Sequence, residues 1–166
     1  MKHTSTLVTI ALAVASALPT VQAQEWPNKP VRVVTAFGAG SASDILARMV
    51  AEDFQGHFKQ SFVVDNKPGA SGIIAAENVA KSPADGYTLF LTTNTVHSAN
   101  PYLFKKLPYD PIKDFTAIGR FGYAPFVLAV KADFPAKNVQ ELMAYARKPE
   151  NKASYAYGNS TGQVAG

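Results

Sequence analysis

The chain predicts an α/β fold built on a parallel sheet, and three observations carry that prediction. Short, nearly unbroken apolar runs alternate with segments of helical periodicity, which is how strands covered on both faces read. The order is strand, helix, strand, helix, strand, and this requires right-handed crossovers between parallel neighbours. Loops of Gly, Ser, Thr and Asn follow several of the strands and lead into helix starts.

Val31-Arg-Val-Val-Thr-Ala36 is the first strand. Leu46, Val50, Phe54 and Phe58 then recur every four residues, with Met49 on the same side, and predict a helix facing the core. Phe62-Val-Val64 reads as the second strand, Ser71 to Lys81 as the second helix, and Tyr87-Thr-Leu-Phe-Leu91 as the third strand. Pro83-Ala-Asp-Gly86 is a turn, with glycine where a positive φ is wanted. From Asn100 to Phe115 a Pro- and Tyr-rich stretch predicts an ordered loop with short helical turns. Thr116 to Phe121 and Phe126 to Val130 read as two further strands, and Ser154 to Tyr157 as a last short one. Between them, Asn138 to Arg147 is a helix with Val139, Leu142, Met143 and Ala146 turned inward. The chain closes on Ser160-Thr-Gly-Gln163, the spacing of a capping box, in which the serine hydroxyl accepts from the third backbone N–H.

Residues 1–23 stand apart. A short basic start, an apolar core from Leu7 to Leu18 and the small residues Val21-Gln22-Ala23 form a secretory signal. The core is too short to span a bilayer. Residues 24–166 are then the mature part. They keep all 12 Asp and Glu and lose only Lys2 of the 16 Lys and Arg, for a net charge of +3. The charges are scattered and the aromatics lie apart from them, so nucleic acid is not an expected partner. The absence of cysteine means that an exported domain here must rely on a hydrophobic core.

Three loops share one design: Phe37 to Asp44, Thr92 to His97, and Gly158 to Gln163. In an open parallel sheet they fall at the carboxyl ends of strands, where ligands bind. Unpaired N–H groups at a helix start favour an anion, and glycine permits close approach to the backbone. None of the three contains Lys or Arg. The opposing reading is that each loop only caps its own helix. A fourth loop, Lys67-Pro-Gly-Ala-Ser-Gly72, reads mainly as a connector with Ser71 as N-cap.

Other chemistries fit less well. Gly38-x-Gly40 lacks the third glycine of a dinucleotide fingerprint, because Ser43 stands there. No Gly-Lys-Ser/Thr is present to make a P-loop. Two histidines forty residues apart, His57 and His97, and no clustered carboxylates make no metal set, so neither metal nor cofactor is expected. Gly158-Asn-Ser-Thr-Gly162 does match the G-x-S-x-G elbow of hydrolases. Those enzymes place an acid and then a histidine after the serine, whereas six residues follow Ser160 here. An exported serine hydrolase is therefore the alternative reading. His57 reads as structural, and His97 as a ligand contact or a turn cap.

Four motifs in order carry a resemblance: Trp26-Pro-Asn-Lys-Pro30, Asp65-Asn-Lys-Pro-Gly-Ala-Ser-Gly72, Pro83-Ala-Asp-Gly-Tyr-Thr-Leu89 and Leu107-Pro-Tyr-Asp-Pro-Ile-Lys-Asp-Phe115. Together they resemble the Bug family, the extracytoplasmic solute receptors of tripartite tricarboxylate transporters, from about Trp26 to Gly166. The resemblance implies a type II periplasmic-binding-protein-like lobe, with residues 24–166 the N-terminal αβ lobe and the start of a crossover to a second lobe. The chain is then read as truncated before that second lobe is complete. It also implies a periplasmic protein that is not an enzyme. Such a protein binds a small carboxylate and partners the transporter's membrane components; delivery to a sensor kinase is a further possibility that the residues do not separate. The implied ligand contacts are Phe37, Gly38, Gly40 and Ser41; Thr93, Asn94, Thr95 and His97; and Asn159, Ser160, Thr161 and Gly162. Two departures stand out: many members have a proline and paired glycines in the first loop, and many have a histidine where Gln163 stands.

Overall fold

The computed structural model describes residues 25–123, 125 and 127–165. The expected signal segment, residues 1–23, lies outside them. Strands β1 (Val31–Thr35), β2 (Phe62–Asn66) and β3 (Thr88–Leu91) form one parallel sheet in the order β2-β1-β3. Val31 pairs with Phe62 and Thr35 with Asn66 on one side, and Thr35 pairs with Leu91 on the other. The central strand is thus the one that is nearly unbroken apolar, with Arg32 and Thr35 its two polar residues.

Its alternation sorts the core into two layers. Val31 and Val33 pack with Ala47, Ala51 and Phe62 on the side of helix α1 (Ala42–Phe58), while Val34 and Ala36 pack with Ala75 of α2 (Ile73–Ala80) on the other. All three valines are buried, each contributing about 2 kcal/mol from its apolar surface. At the amino end of the sheet Trp26, Phe54, Phe58 and Phe62 close the core edge to face, with Trp26 and Phe58 centroids 5.3 Å apart. His57 sits edge-on to Phe58, in keeping with a structural role. Gly86 takes the positive φ of 81° expected of its turn, and its missing side chain leaves room for the Trp26 indole.

Helix α1 turns a different face to the sheet from the one its bulky residues suggest. Asp44, Ala47 and Ala51 are buried and continue into Phe54 and Phe58, whereas Leu46 and Met49 are exposed. The reason is steric: alanines let the helix axis approach the sheet closely, and the larger side chains are carried outward.

After β3 a π-helical turn, Thr95–Ala99, runs into the short helix α3 (Asn100–Leu103). The following Pro- and Tyr-rich loop is ordered as expected. Tyr109 is buried against Ala76 and Val96, and Asp110 accepts from the Ile112 and Lys113 amides at 3.0 Å. Helix α4 (Val139–Ala146) is capped by Asn138, but Val139 and Met143 are exposed, and its ring contact is Phe134 with Tyr145 at 4.8 Å. The strands expected at 116–121, 126–130 and 154–157 are not formed among the described residues, and Phe126 lies outside them. Apolar content supplies a tendency to extend, but a strand exists only through ladder partners. None meets these segments, and Phe121, Val127 and Leu128 stay exposed. Helix α5 (Ser160–Ala165) ends the described chain. Among the described residues no helix is long and apolar enough to cross a membrane.

Candidate functional site

The first loop is built around one carboxylate. Gly40 has φ +81°, and Ser41 is the N-cap of α1, its hydroxyl accepting from the Asp44 amide at 3.2 Å. Asp44 reaches back as the capping-box spacing predicts, but to the Gly40 amide at 2.9 Å rather than to Ser41, whose own N–H donates to Gly38 O at 3.2 Å. Asp44 is 3% exposed. The hydrogen bond from Arg48, the Gly40 amide and the Asn66 side chain hold its carboxyl down at about 2. Asn66 Nδ2 donates both to Asp44 Oδ1 at 2.9 Å and to Phe37 O at 3.0 Å, tying the loop to the end of β2. Asn66 is not among the residues the sequence singles out for a site; its place at the last position of β2, two residues beyond the apolar run Phe62–Val64, is the available signal.

These internal bonds take up the Gly40 and Ser41 amides. The Ala42 and Ser43 amides, in the first turn of α1, keep no acceptor among the described residues. The amides of Asn94 and Thr95 and those of Ser160 and Thr161 are in the same state at the other two loops. A donor of this kind is met by water or by an anion.

The second and third loops are in direct contact. Thr95 Oγ1 and Thr161 Oγ1 lie 2.9 Å apart, with Thr95 fully buried. The cap of α5 is one residue earlier than the sequence spacing suggests. Asn159 Oδ1 accepts from the Gly162 amide at 2.9 Å and Asn159 O from Gln163 N at 3.1 Å, so Ser160 is the first helical residue instead of the cap. Asn is as good a cap as Ser, and it sits where the extended chain turns. Ser160 is 1% exposed. A nucleophile elbow holds its serine out at the top of the sheet, and this one is turned in.

His97 is engaged structurally. Its Nδ1 lies 2.9 Å from Pro111 O and its ring stands edge-on to Phe115 at 5.0 Å. The imidazole thus ties the second loop to the Pro- and Tyr-rich segment. Asn94 is exposed, and Thr93 carries a buried hydroxyl without a partner among the described residues.

The fourth loop proves to be the junction of the others. Gly69, Ala70, Ser71 and Gly72 all have positive φ, at 123°, 46°, 52° and 84°. Ser71, expected from the sequence to be an N-cap, caps no helix through its side chain; the caps of the two helical segments here are Gly69 and Gly72. Instead its carbonyl accepts from Asn100 Nδ2 at 3.0 Å. A Cβ on Gly72 would fall 2.8 Å from Val96 and 3.1 Å from Ala36. The end of the first strand, the fourth loop and the turn after β3 therefore touch at one glycine, which places the first and second loops on a common rim. Two non-glycine residues held in the left-handed region mark a turn fixed by its surroundings. Among the described residues no group of three His, Asp or Glu converges on a metal position.

Residues 46–165 match the tripartite tricarboxylate transporter family receptor. The chain belongs to that receptor family. A UPF0065 protein of Bordetella bronchiseptica is 41% identical over 145 residues, which are 87% of this chain and 43% of that protein. Among solved structures, R. palustris Rpa4515 with adipate superposes with a TM-score of 0.71 at 41% identity, over 75% of this chain and 42% of that one. The periplasmic binding protein BugD gives 0.65 at 32%, covering 81% and 45%, and MatC from Rhodopseudomonas palustris with bound malate gives 0.62 at 31%, covering 74% and 42%. This receptor chain thus spans under half the length of the relatives it matches. The family members are solute-binding receptors, and the parallel-sheet α/β lobe agrees with theirs.

Proposed function

We propose that this chain carries the ligand-gathering loops of a periplasmic receptor. The receptor captures a small di- or tricarboxylate, or a similar organic acid, and passes it to the membrane components of a tripartite tricarboxylate transporter. One observation carries the reading: helix-start amides without internal acceptors, at Ala42–Ser43, Asn94–Thr95 and Ser160–Thr161, belong to loops joined through Gly72 and through the Thr95–Thr161 pair. Similar structures that hold adipate and malate support the same ligand class.

The chemistry suits capture and release. Neutral N–H donors and hydroxyls match a carboxylate's acceptors without the strong pairing of a buried guanidinium. The nearest cation on α1, Arg48, is taken by Asp44 at 3.0 Å. Phe37, Gly38, Gly40 and Ser41 shape the first wall, Thr93, Asn94 and Thr95 the second, and Asn159, Ser160, Thr161 and Gly162 the third. His97 supports the second wall from behind.

Calorimetric titration of the full-length gene product with adipate, succinate, malate, citrate and tricarballylate tests this. A receptor takes up one or more of them with one site per chain and a raised melting midpoint. Binding of none, together with release of product from a chromogenic ester that is lost in Ser160→Ala, would overturn it in favour of a hydrolase.

A further inference from the structure

Beneath the amides of α1 lies a polar group that the loop design does not account for. Thr35 closes β1, is 0% exposed, and its hydroxyl has no hydrogen-bond partner among the described residues. Burying a hydroxyl unmet costs its full desolvation, so native structures resolve such groups with water or ligand. The strand's alternation tells where this one faces. Val31 and Val33 lie on the α1 side with Ala47 and Ala51, and Thr35 is the next residue on that face. It therefore points under the start of α1, where the Ala42 and Ser43 amides are unpaired. A second orphan stands at the same end of the sheet. Thr35 pairs in register with Leu91, and Thr93, two residues further on, also carries a buried hydroxyl without a partner.

We propose that Thr35 is a specificity-determining residue of this site, receiving a hydroxyl group that the ligand carries beside its carboxylate, so that the preferred class is hydroxylated di- or tricarboxylates. The inference rests on the receptor reading above. Backbone N–H groups only donate and a carboxylate only accepts, so the free N–H groups of the three helix starts suffice for the carboxyl group alone. A ligand hydroxyl also needs an acceptor, which free N–H groups cannot supply. Threonine can accept and donate at once. Its hydroxyl stands at the last position of β1, and the chain leads from there through Phe37 to Ser41 into the start of α1.

Matched ligand pairs test it on the full-length gene product. Malate and succinate differ by one hydroxyl, as do citrate and tricarballylate. The unaltered protein is expected to bind the hydroxylated member of whichever pair it accepts at least tenfold more tightly. Thr35→Val, near in volume but without the hydroxyl, removes that preference by weakening the hydroxylated ligand and leaves its partner unchanged. Thr35→Ser keeps the preference, and Thr35→Ala reads the same ratio if the valine variant does not fold. An unaltered ratio in the hydroxyl-free variants, or no preference in the unaltered protein, overturns the assignment of Thr35 while the receptor reading stands. Binding of no carboxylate at all overturns both.

Discussion

The hydroxyls of Thr95 and Thr161 meet 2.9 Å apart across 66 residues of chain. That bond fixes the start of the last helix against the turn after β3, and it makes one rim of two loops. Thr161→Val removes it while keeping the side chain's volume. The expected loss is about 1 kcal/mol of stability, the usual worth of a neutral hydrogen bond, read as a lower urea midpoint. Carboxylate affinity in the full-length gene product should fall about tenfold, since displaced amides lose geometry as well as one contact. An unchanged affinity would remove the third loop from the site.

Gly72 has no room for a side chain. A Cβ there would fall 2.8 Å from Val96 Cγ2 and 3.1 Å from Ala36 Cβ, at a φ of +84°. Gly72→Ala therefore combines overlap in the core with a left-handed alanine, and about 2 kcal/mol or more of destabilisation is expected in urea unfolding. Ala70→Gly, two residues away at φ +46°, should do the reverse and stabilise by roughly 0.5–1 kcal/mol, because glycine relieves the strain that alanine carries there.

That contrast shows what could be read from the sequence and what could not. The three strands and two crossover helices were legible because a central parallel strand is covered on both faces, and Val31 to Thr35 is apolar at all positions but Arg32 and Thr35. The cap of α1 was legible from Ser41 and Asp44, whose spacing is local. The junction at Gly72 was not, since a glycine's neighbours across the fold leave no local trace. The same holds for Asn100, which looks like an ordinary polar residue before a proline yet holds Ser71 O from a fully buried position. Bulk misled in α1: Leu46 and Met49 outweigh Ala47 and Ala51 in any hydrophobic pattern, but closeness to the sheet selects the alanines. Beyond residue 115 the apolar runs specified a tendency to pair and named no partner. At the last helix the cap was misplaced by one, because Asn159 and Ser160 are both good caps and local spacing favoured the serine.

Acid should weaken this fold through one carboxylate in particular. Asp44 ionises at about 2 in the folded chain, against an ordinary 3.8, chiefly through Arg48 and the Gly40 amide. A folded value below the unfolded one means that the stabilisation is complete above about pH 4 and fades as pH falls toward 2. Urea midpoints followed over that window should drop. In Asp44→Asn the midpoint starts lower at neutral pH and loses less on acidification. Parallel curves for the two proteins would assign the acid sensitivity elsewhere.

Asn66 is the test of whether the first loop depends on donors or on shape. Its amide gives one N–H to Phe37 O at 3.0 Å and one to Asp44 Oδ1 at 2.9 Å. Asn66→Asp keeps the shape, removes both donors and sets a second carboxylate against Asp44. Arg48 already pairs with Asp44 at 3.0 Å and offsets one of the two charges, not both. Two carboxylates in one site cannot ionise together without cost, so one of them is raised above its ordinary range. The variant is therefore expected to unfold at lower urea than the parent near pH 7, and the gap should narrow as pH falls toward about 4 and the raised group takes up its proton. Asn66→Ala separates the two contributions: it lacks the donors and adds no charge, so its deficit should stay level across the same range. If the aspartate variant's gap stays level as well, charge is not what Asn66 manages, and the loop is held by its two donated hydrogen bonds.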